Sequence, residues 1–202
     1  MPRRPVLIFA AIILLIAAGF GSYAYMNRAL HQQQGSGVAL VGGPFSLVDQ
    51  DGRRVTEKNF LGKYMLVFFG YTYCPDICPT ELQVMSAALD QLGLEADRIQ
   101  PIFVSIDPAR DTPEVLKAYV ANFGPRLIGL TGSPEEVAAI AKAYRAYYAK
   151  AGNGSTGTDY LMDHSSIIYL MGPDGRFVKH MPYTTDAAKL ATELKETLRT
   201  SP

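Results

Sequence analysis

The sequence predicts an α/β fold in which a central mixed sheet is flanked by helices, and two features of the 202-residue chain support this prediction. Runs of β-branched and aromatic residues, such as YMLVFFGYTY (64–73), alternate with segments whose apolar residues recur at helical spacing, such as PTELQVMSAALDQLG (79–93). This alternation is typical of a sheet covered by helices on both faces. The length also fits one domain with additions rather than two full domains.

The first half of the domain is predicted to lead from two short strands to a pair of buried strands. The short strands of segment 44–62 meet at Asp51-Gly52, a dipeptide typical of tight hairpin turns. Three elements follow, a strand, a helix and a second strand (64–73, 79–93 and 99–107). Both strands are continuous apolar runs, so we expect both of their faces to be covered. Pro79 suits the first turn of the helix and Gly93 its end.

The second half is predicted to contain three helices, a short strand and a hairpin. Thr112 and Ser133 are suited to cap helices, and Glu136 completes a capping box with Ser133. A Gly-Pro-Asp-Gly turn (172–175) joins the strands of the hairpin. In order along the chain, we expect a helix (112–124), a strand (127–132), a helix (133–150), a polar glycine-rich loop (151–165), the hairpin (166–182) and a last helix (186–200).

The N-terminal segment is predicted to be a transmembrane helix. Residues 6–25 (VLIFAAIILLIAAGFGSYAY) carry no charge over about 20 positions, the length that crosses a bilayer as a helix. Arg3 and Arg4 precede this segment, and the positive-inside rule then keeps the N-terminus in the cytoplasm. A retained anchor is favoured over a cleaved signal peptide because the following residues are too bulky for a cleavage site. The predicted organisation is an N-terminal tail with the anchor (1–25), a flexible linker (26–40) and a folded domain (41–202).

Composition narrows the location and the partners of the protein. The formal net charge is zero, so nothing indicates a nucleic-acid partner. The sequence lacks an Arg- and Ser-rich amphipathic leader, which favours the bacterial inner membrane over an organelle. We expect a single membrane span with the C-terminal domain in the periplasm. Because the periplasm is oxidising, two neighbouring cysteines there tend to form a disulfide unless they are reduced or bound to an ion.

The two cysteines of the chain, Cys74 and Cys78, lie between a predicted buried strand and the next helix. Ligands bind at the C-terminal ends of strands in open α/β sheets, and a helix N-terminus favours thiolate over thiol. The i, i+4 spacing places both sulfur atoms on one side of a helical turn, where they can form a disulfide or share one ion. A purely structural disulfide is disfavoured because so short a loop constrains little of the chain.

A cysteine pair in this position, with a terminal β-β-α unit, is the layout of the thioredoxin fold. In that layout the segment entering the hairpin faces the cysteines, and here it carries His164 where thioredoxins have a proline. Two thiolates and an imidazole form a ligand set that suits copper, although zinc with Asp163 or water as a fourth ligand stays open. Taken alone, His164 is more often an ordinary loop histidine. We expect His180 to be structural or exposed.

Three segments together resemble the Sco/SenC family: GYTYCPDICPTEL, VSIDPARDTPEVLKAYV and MDHSSIIYLMGPDGRFV, in this order. The resemblance extends from about Val41 to the C-terminus. It implies a membrane-anchored copper protein of thioredoxin fold that holds Cu(I), Cu(II) or both through Cys74, Cys78 and His164. It also implies a role in assembling the binuclear copper site of cytochrome c oxidase subunit II. Since a disulfide offers no thiolate, we expect a thioredoxin-like reductant as a partner, together with a periplasmic copper donor.

Two other functions stay open at this point. A thiol–disulfide oxidoreductase that reduces the cysteines of the target copper site fits the fold and the thiols. The three-residue gap and His164 in place of proline fit that function less well. A peroxidase is disfavoured because Thr72 lies only two residues before Cys74, whereas peroxiredoxins have a Pro-x-x-x-Thr-x-x-Cys pattern. We therefore expect a metallochaperone rather than an enzyme.

Several residues beside these motifs have expected roles. Asp76 and Asp163 match acidic positions of the family motifs, where they either contact a partner and tune the copper or are solvated loop carboxylates. Asp107 follows a buried strand and is expected near the site at the same sheet edge. Asp111 is expected to shape the turn before the next helix. The two tyrosines before Cys74 suit core packing and shielding of the site equally well.

Overall fold

The computed structural model describes residues 19, 21–22, 41–152 and 160–200. By its internal contacts the chain divides into two units, Met1–Ala39 and Leu40–Pro202, and the candidate site lies in the second. Among the described residues, no helix has both the length and the apolar character needed to span a membrane. The predicted anchor lies almost entirely outside the described residues, and the predicted linker lies wholly outside them.

Nine strands and four α-helices make up the described part of the second unit. The strands are β1 (Ser46–Asp49), β2 (Arg54–Thr56), β3 (Tyr64–Gly70), β4 (Ile99–Ser105), β5 (Ile128–Thr131), β6 (Tyr148–Lys150), β7 (Met162–His164), β8 (Ile167–Met171) and β9 (Phe177–Pro182). The helices are α1 (Ile77–Leu92), α2 (Pro113–Val120), α3 (Pro134–Tyr144) and α4 (Ala187–Thr200). Short 3-10 helices cover Glu57–Phe60, Gly93–Arg98 and Ala121–Phe123.

Seven of these strands form one mixed sheet in the order β2-β1-β5-β4-β3-β8-β9. Strands β3, β4 and β5 are parallel to one another, whereas β1 runs antiparallel to β5, and β8 antiparallel to β3. Helix α1 packs against α4, and α2 packs against β5. The mixed sheet flanked by helices confirms the predicted fold class.

Strand β3 lies inside the main sheet, between β4 and β8. All seven of its residues are buried, as the continuous apolar run predicts. Its C-terminal end at Gly70 leads directly into the cysteine loop. The strand therefore fixes one side of the candidate site to the best-packed part of the domain.

The predicted helix caps are present. The Thr112 side chain accepts a hydrogen bond from the backbone N–H of Val115, and Ser133 forms a capping box with Glu136. Gly93 follows α1 with φ of +58°, a left-handed value that glycine adopts without steric cost. Helix α1 begins at Ile77, two residues earlier than predicted, so Cys78 lies within its first turn.

The prediction of one helix over 133–150 is wrong in its second half. The helix ends at Tyr144 because Arg145 takes the left-handed conformation (φ 56°, ψ 29°). The residues after it form β6, which pairs with β7 inside the segment that was predicted to be a loop. Pairing between distant segments overrides the local helical pattern here. The result is a separate two-stranded sheet with His164 at its end.

Candidate metal centre

The two thiols lie on either side of the start of α1. Cys74 is half-buried in the loop after β3, and Cys78 is fully buried in the first helical turn. Both are free thiols in the structure. The backbone N–H of Cys78, one of the donors that a first turn leaves without a helical partner, donates to Cys74 Sγ at 3.3 Å. The helix start therefore stabilises negative charge on Cys74.

His164 approaches the thiols from the small sheet. Its Nε2 lies 3.4 Å from Cys78 Sγ, and its Nδ1 lies 3.3 Å from the carbonyl oxygen of Ser165. A carbonyl oxygen can only accept a hydrogen bond, so Nδ1 is the donor and Nε2 presents its lone pair to the thiols. The rings of Phe68 and Tyr71 meet the imidazole nearly edge-on, each at 6.0 Å between centroids.

The three residues that the sequence singles out thus converge on one point. The Sγ atoms of Cys74 and Cys78 and a ring nitrogen of His164 all lie within 4.8 Å of one another. A central ion with bonds of about 2.0–2.3 Å to sulfur and nitrogen needs ligand atoms about this close together. The donor set contains two soft sulfur atoms and one imidazole nitrogen, and so fits copper or zinc better than magnesium or calcium.

The two cysteines have opposite acidities. The hydrogen bond from the Cys78 side chain, assisted by backbone hydrogen bonds, lowers the pKa of Cys74 from 9.0 to about 4 against the effect of burial. The same thiol–thiol hydrogen bond, together with burial, raises the pKa of Cys78 above its ordinary value. At neutral pH the pair therefore consists of a thiolate at Cys74 and a thiol at Cys78.

Asp111 anchors the cysteine loop to the main sheet. It is buried and accepts hydrogen bonds from the backbone N–H of Thr72 (3.1 Å), the Thr72 hydroxyl (2.6 Å) and the Ser105 hydroxyl (2.6 Å). Burial raises the pKa of this carboxyl, and the hydrogen bonds oppose that effect. The expected structural role of Asp111 is confirmed, and it extends to the loop that carries Cys74.

The other residues named from the sequence occupy different positions. Asp76 and Asp163 are exposed at the rim of a cavity of about 290 Å³ that Cys74 and His164 also line. Asp107 is buried at the same edge of the sheet, as expected, where it contacts Tyr160. His180 is exposed on β9 and stacks on Phe177, in agreement with a role outside the site.

The tyrosines before Cys74 differ from each other. Tyr71 is buried, and its hydroxyl accepts a hydrogen bond from the backbone N–H of Met162 at 3.1 Å. Tyr73 is 62% exposed. Tyr71 is therefore a core residue, and its hydrogen bond links the end of β3 to the histidine segment. Tyr73 lies on the surface beside the site.

Sequence reasoning missed Gly70 and Arg110 beside the centre, and also the buried carboxyl of Glu81. A Cβ on Gly70 would lie 2.7 Å from Cys78 Sγ and 2.8 Å from a ring carbon of Phe103. A lone glycine inside an apolar strand was the available signal, since it often marks a close approach. Glu81 is a buried carboxyl on α1, and Arg110 lies in the loop after β4. Neither position carries a pattern that separates it from a surface charge.

Comparisons with known proteins agree with this geometry. The family model described as SCO1/SenC matches residues 33–199. A relative from Arabidopsis thaliana, named "Protein SCO1 homolog 1, mitochondrial", is 45% identical over 94% of this chain, which spans 60% of that relative's length. The solved structure of Arabidopsis thaliana ScoI with copper bound is 46% identical, with a TM-score of 0.75 and coverage of 80% of this chain and 99% of that one. Bradyrhizobium japonicum ScoI with copper bound is 47% identical, with a TM-score of 0.71 and coverage of 77% and 98%.

Proposed function

The chain belongs to the SCO1/SenC family, and from this premise we propose that it is a copper chaperone that helps to assemble the binuclear copper site of cytochrome c oxidase subunit II. The observation that carries the proposal is the convergence of Cys74, Cys78 and His164 within 4.8 Å. Thiolate-rich sites of low coordination number select Cu(I), and imidazole also suits Cu(II). The relatives from Arabidopsis thaliana and Bradyrhizobium japonicum were solved with copper bound, which supports copper as the cargo.

The acidity of the pair supports a site that loads and releases its cargo. Cys74 already offers a thiolate, and Cys78 gives up its proton when the ion binds. Because Cys74 is only half-buried and lines an open cavity, an incoming thiolate of a partner can reach the ion. The exposed carboxylates of Asp76 and Asp163 stand at the rim where that partner would contact the chain.

The proposal includes a location and further partners. The uncharged segment 6–25 after Arg3 and Arg4 supports a single-pass protein of the bacterial inner membrane with its C-terminal domain in the periplasm. In that oxidising compartment the two thiols need a thioredoxin-like reductant before copper can bind. A periplasmic copper donor would then load the reduced site.

Metal analysis of the full chain, purified in detergent without oxygen and with reductant, tests the proposal. We expect one copper per chain, lost in both Cys74→Ser and Cys78→Ser. His164→Ala should weaken copper binding strongly, and His180→Ala serves as its control because that histidine is exposed and outside the site. Zinc in place of copper, or copper retained by the cysteine variants, would contradict the proposed cargo or ligand set.

A second function, thiol–disulfide oxidoreductase acting on the cysteines of the target copper site, is favoured by one observation. A thiolate at Cys74 beside a protonated Cys78 is the arrangement of an attacking thiol and its resolving partner. His164→Ala separates the two functions, because it removes a copper ligand and leaves both thiols in place. If His164→Ala did not reduce assembly of the copper site in cytochrome c oxidase subunit II, the oxidoreductase function would be favoured over the copper chaperone function.

A further inference from the structure

The guanidinium group of Arg110 lies among three tyrosine rings. Its central carbon is 3.7 Å from the ring centroid of Tyr160, 4.6 Å from that of Tyr73 and 5.8 Å from that of Tyr71. Two of these rings belong to the segment that enters the cysteine loop, and the third belongs to the segment that enters the histidine strand. Arg110 therefore contacts both halves of the candidate metal centre.

In addition to these ring contacts, two hydrogen bonds hold Tyr160 in place. Its hydroxyl donates to Asp107 Oδ1 at 2.6 Å, and its carbonyl oxygen accepts from an η-nitrogen of Arg110 at 2.9 Å. Asp107 also pairs with Arg110 through Oδ2 and Nε. On the same ring, Lys150 Nζ lies 4.0 Å from the centroid. Since Asp107 is 3% and Tyr160 6% exposed, these charge-assisted contacts are shielded from water.

His164 itself lies outside the main sheet. It lies at the end of β7, which pairs with β6 in a sheet separate from the seven-stranded one. Three residues after His164, β8 pairs with β3 in the main sheet, whereas the segment before His164 is held by the small sheet and by its side-chain contacts. Tyr160 lies four residues before His164, close enough for a shift of its ring to be passed on to the imidazole.

We propose that Asp107 and Arg110 form a clamp on Tyr160 that positions His164 against the two thiols. This inference rests on the proposed function, because it concerns how well the three ligands hold copper. Asp107, Arg110 and Tyr160 are positioning residues and do not touch the ion. Without the arginine, the Asp107 carboxylate would stay buried without its cation, and the segment before β7 would keep only the hydrogen bond from the Tyr160 hydroxyl as its tie to Asp107.

Three substitutions and one control test the clamp. Arg110→Met removes both the positive charge and the planar guanidinium group, whereas Arg110→Lys keeps the charge and removes the planar group. Tyr160→Phe removes only the hydroxyl that donates to Asp107. The control is Arg126→Met, because Arg126 forms a surface ion pair with Asp97 at 3.5 Å and does not contact the centre. Competition with a chromophoric Cu(I) chelator should show an affinity loss of about tenfold or more for Arg110→Met, as for other residues that orient ligands, and none for the control.

Two readouts separate positioning from a general structural effect. In the metal-free, reduced protein, the NMR signals of the His164 ring should shift or broaden in Arg110→Met and stay unchanged in Arg126→Met. In a His164→Ala background, Arg110→Met should cause no further loss of Cu(I) affinity. An equal loss in that background, or an unchanged histidine signal, would overturn the clamp. If the unmodified protein bound no copper, the proposed function would fail, and the metal-free NMR comparison would still decide the clamp.

Discussion

Cys78 Sγ lies 3.4 Å from Nε2 of His164, although 86 positions separate the two residues in the chain. The cysteine belongs to the first turn of a helix that follows the buried strand β3, and the histidine belongs to a small separate sheet. Pairing of β3 with β8, which begins three residues after His164, brings the two parts to the same edge of the main sheet. Side-chain contacts complete the geometry of the centre, so single substitutions are informative.

The first prediction concerns the reactivity of Cys74. Because the hydrogen bond from Cys78 lowers the pKa of Cys74 to about 4, iodoacetamide should modify Cys74 at a nearly constant rate between pH 6 and 9, about 2–5 units above that pKa. Peptide mapping after brief alkylation measures the rate for each cysteine. Cys78→Ala removes this side-chain donor, so the pKa of Cys74 should rise toward 9.0 in that variant. A Cys74 rate that kept rising up to pH 9 would contradict the thiolate.

The same shift has a consequence for stability. The folded state binds the Cys74 proton more weakly than the unfolded state, so this group stabilises the fold fully above pH 9.0, its ordinary pKa. That contribution declines as the pH falls toward about 4. Urea unfolding of the reduced protein should therefore show a smaller loss of stability on acidification in Cys74→Ser than in the unmodified chain. An identical pH dependence in both proteins would argue against the shift.

The second prediction concerns oxidation. A disulfide between Cys74 and Cys78 removes both thiolates, so the oxidised protein should bind Cu(I) at least 100-fold more weakly than the dithiol form, given the strength of thiolate ligation. Chelator competition on both forms of the same preparation measures the difference. Recovery of affinity after treatment with dithiothreitol is the control for irreversible damage. Equal affinities of the two forms would show that the cysteines are not the ligands.

The third prediction concerns the space that Gly70 leaves for Cys78. A methyl group there would lie 2.7 Å from Sγ, so Gly70→Ala must displace the thiol or the Phe103 ring. We expect a loss of about 1–3 kcal/mol in the free energy of unfolding from this overpacking, together with a weaker copper site. Gly129→Ala is a matched control, since its Cβ would meet Val120 at 2.9 Å in the core away from the centre. It should lower stability and leave copper affinity unchanged.

The sequence was sufficient for the elements whose signals are local. The uninterrupted run from Tyr64 to Gly70 predicted a buried strand because no polar face is present, and Ser133 with Glu136 predicted the start of α3 because a capping box acts within four residues. The cysteine pair was likewise found from its position after a buried strand. Its link to His164 required the layout of the fold, since spacing alone does not indicate which distant histidine faces the thiols.

The sequence was insufficient where distant segments decide the structure. Residues 145–150 continue the helical pattern, yet Tyr148–Lys150 pairs with Met162–His164 as a strand. The clamp was missed for the same reason: Asp107 was expected near the site from its position after a buried strand, but its contacts with Arg110 and Tyr160 depend on a segment more than 50 positions away. In both cases the stabilising partner lies 12 or more positions away in the sequence, and no local pattern encodes such a contact.

Glu81 is a buried ionisable residue that has no role in the proposed copper chemistry. It lies on α1, one turn after Cys78, with 2% of its surface exposed, and its Oε2 has no hydrogen-bond partner among the described residues. Burial raises the pKa of this carboxyl from 4.5 to about 7. The folded state therefore holds the Glu81 proton more tightly than the unfolded state does.

The last prediction follows from the sign of that shift. The contribution of Glu81 to stability is fully present below pH 4.5 and is lost as the pH rises through about 7, because the buried group must then ionise. Glu81→Gln cannot ionise, so its urea midpoint should exceed that of the unmodified chain at pH 8 by more than at pH 5. Glu196→Gln, on the exposed face of α4, should show no such pH-dependent difference. A Glu81→Gln effect of the same size at both pH values would mean that the carboxyl is already ionised or solvated in the fold.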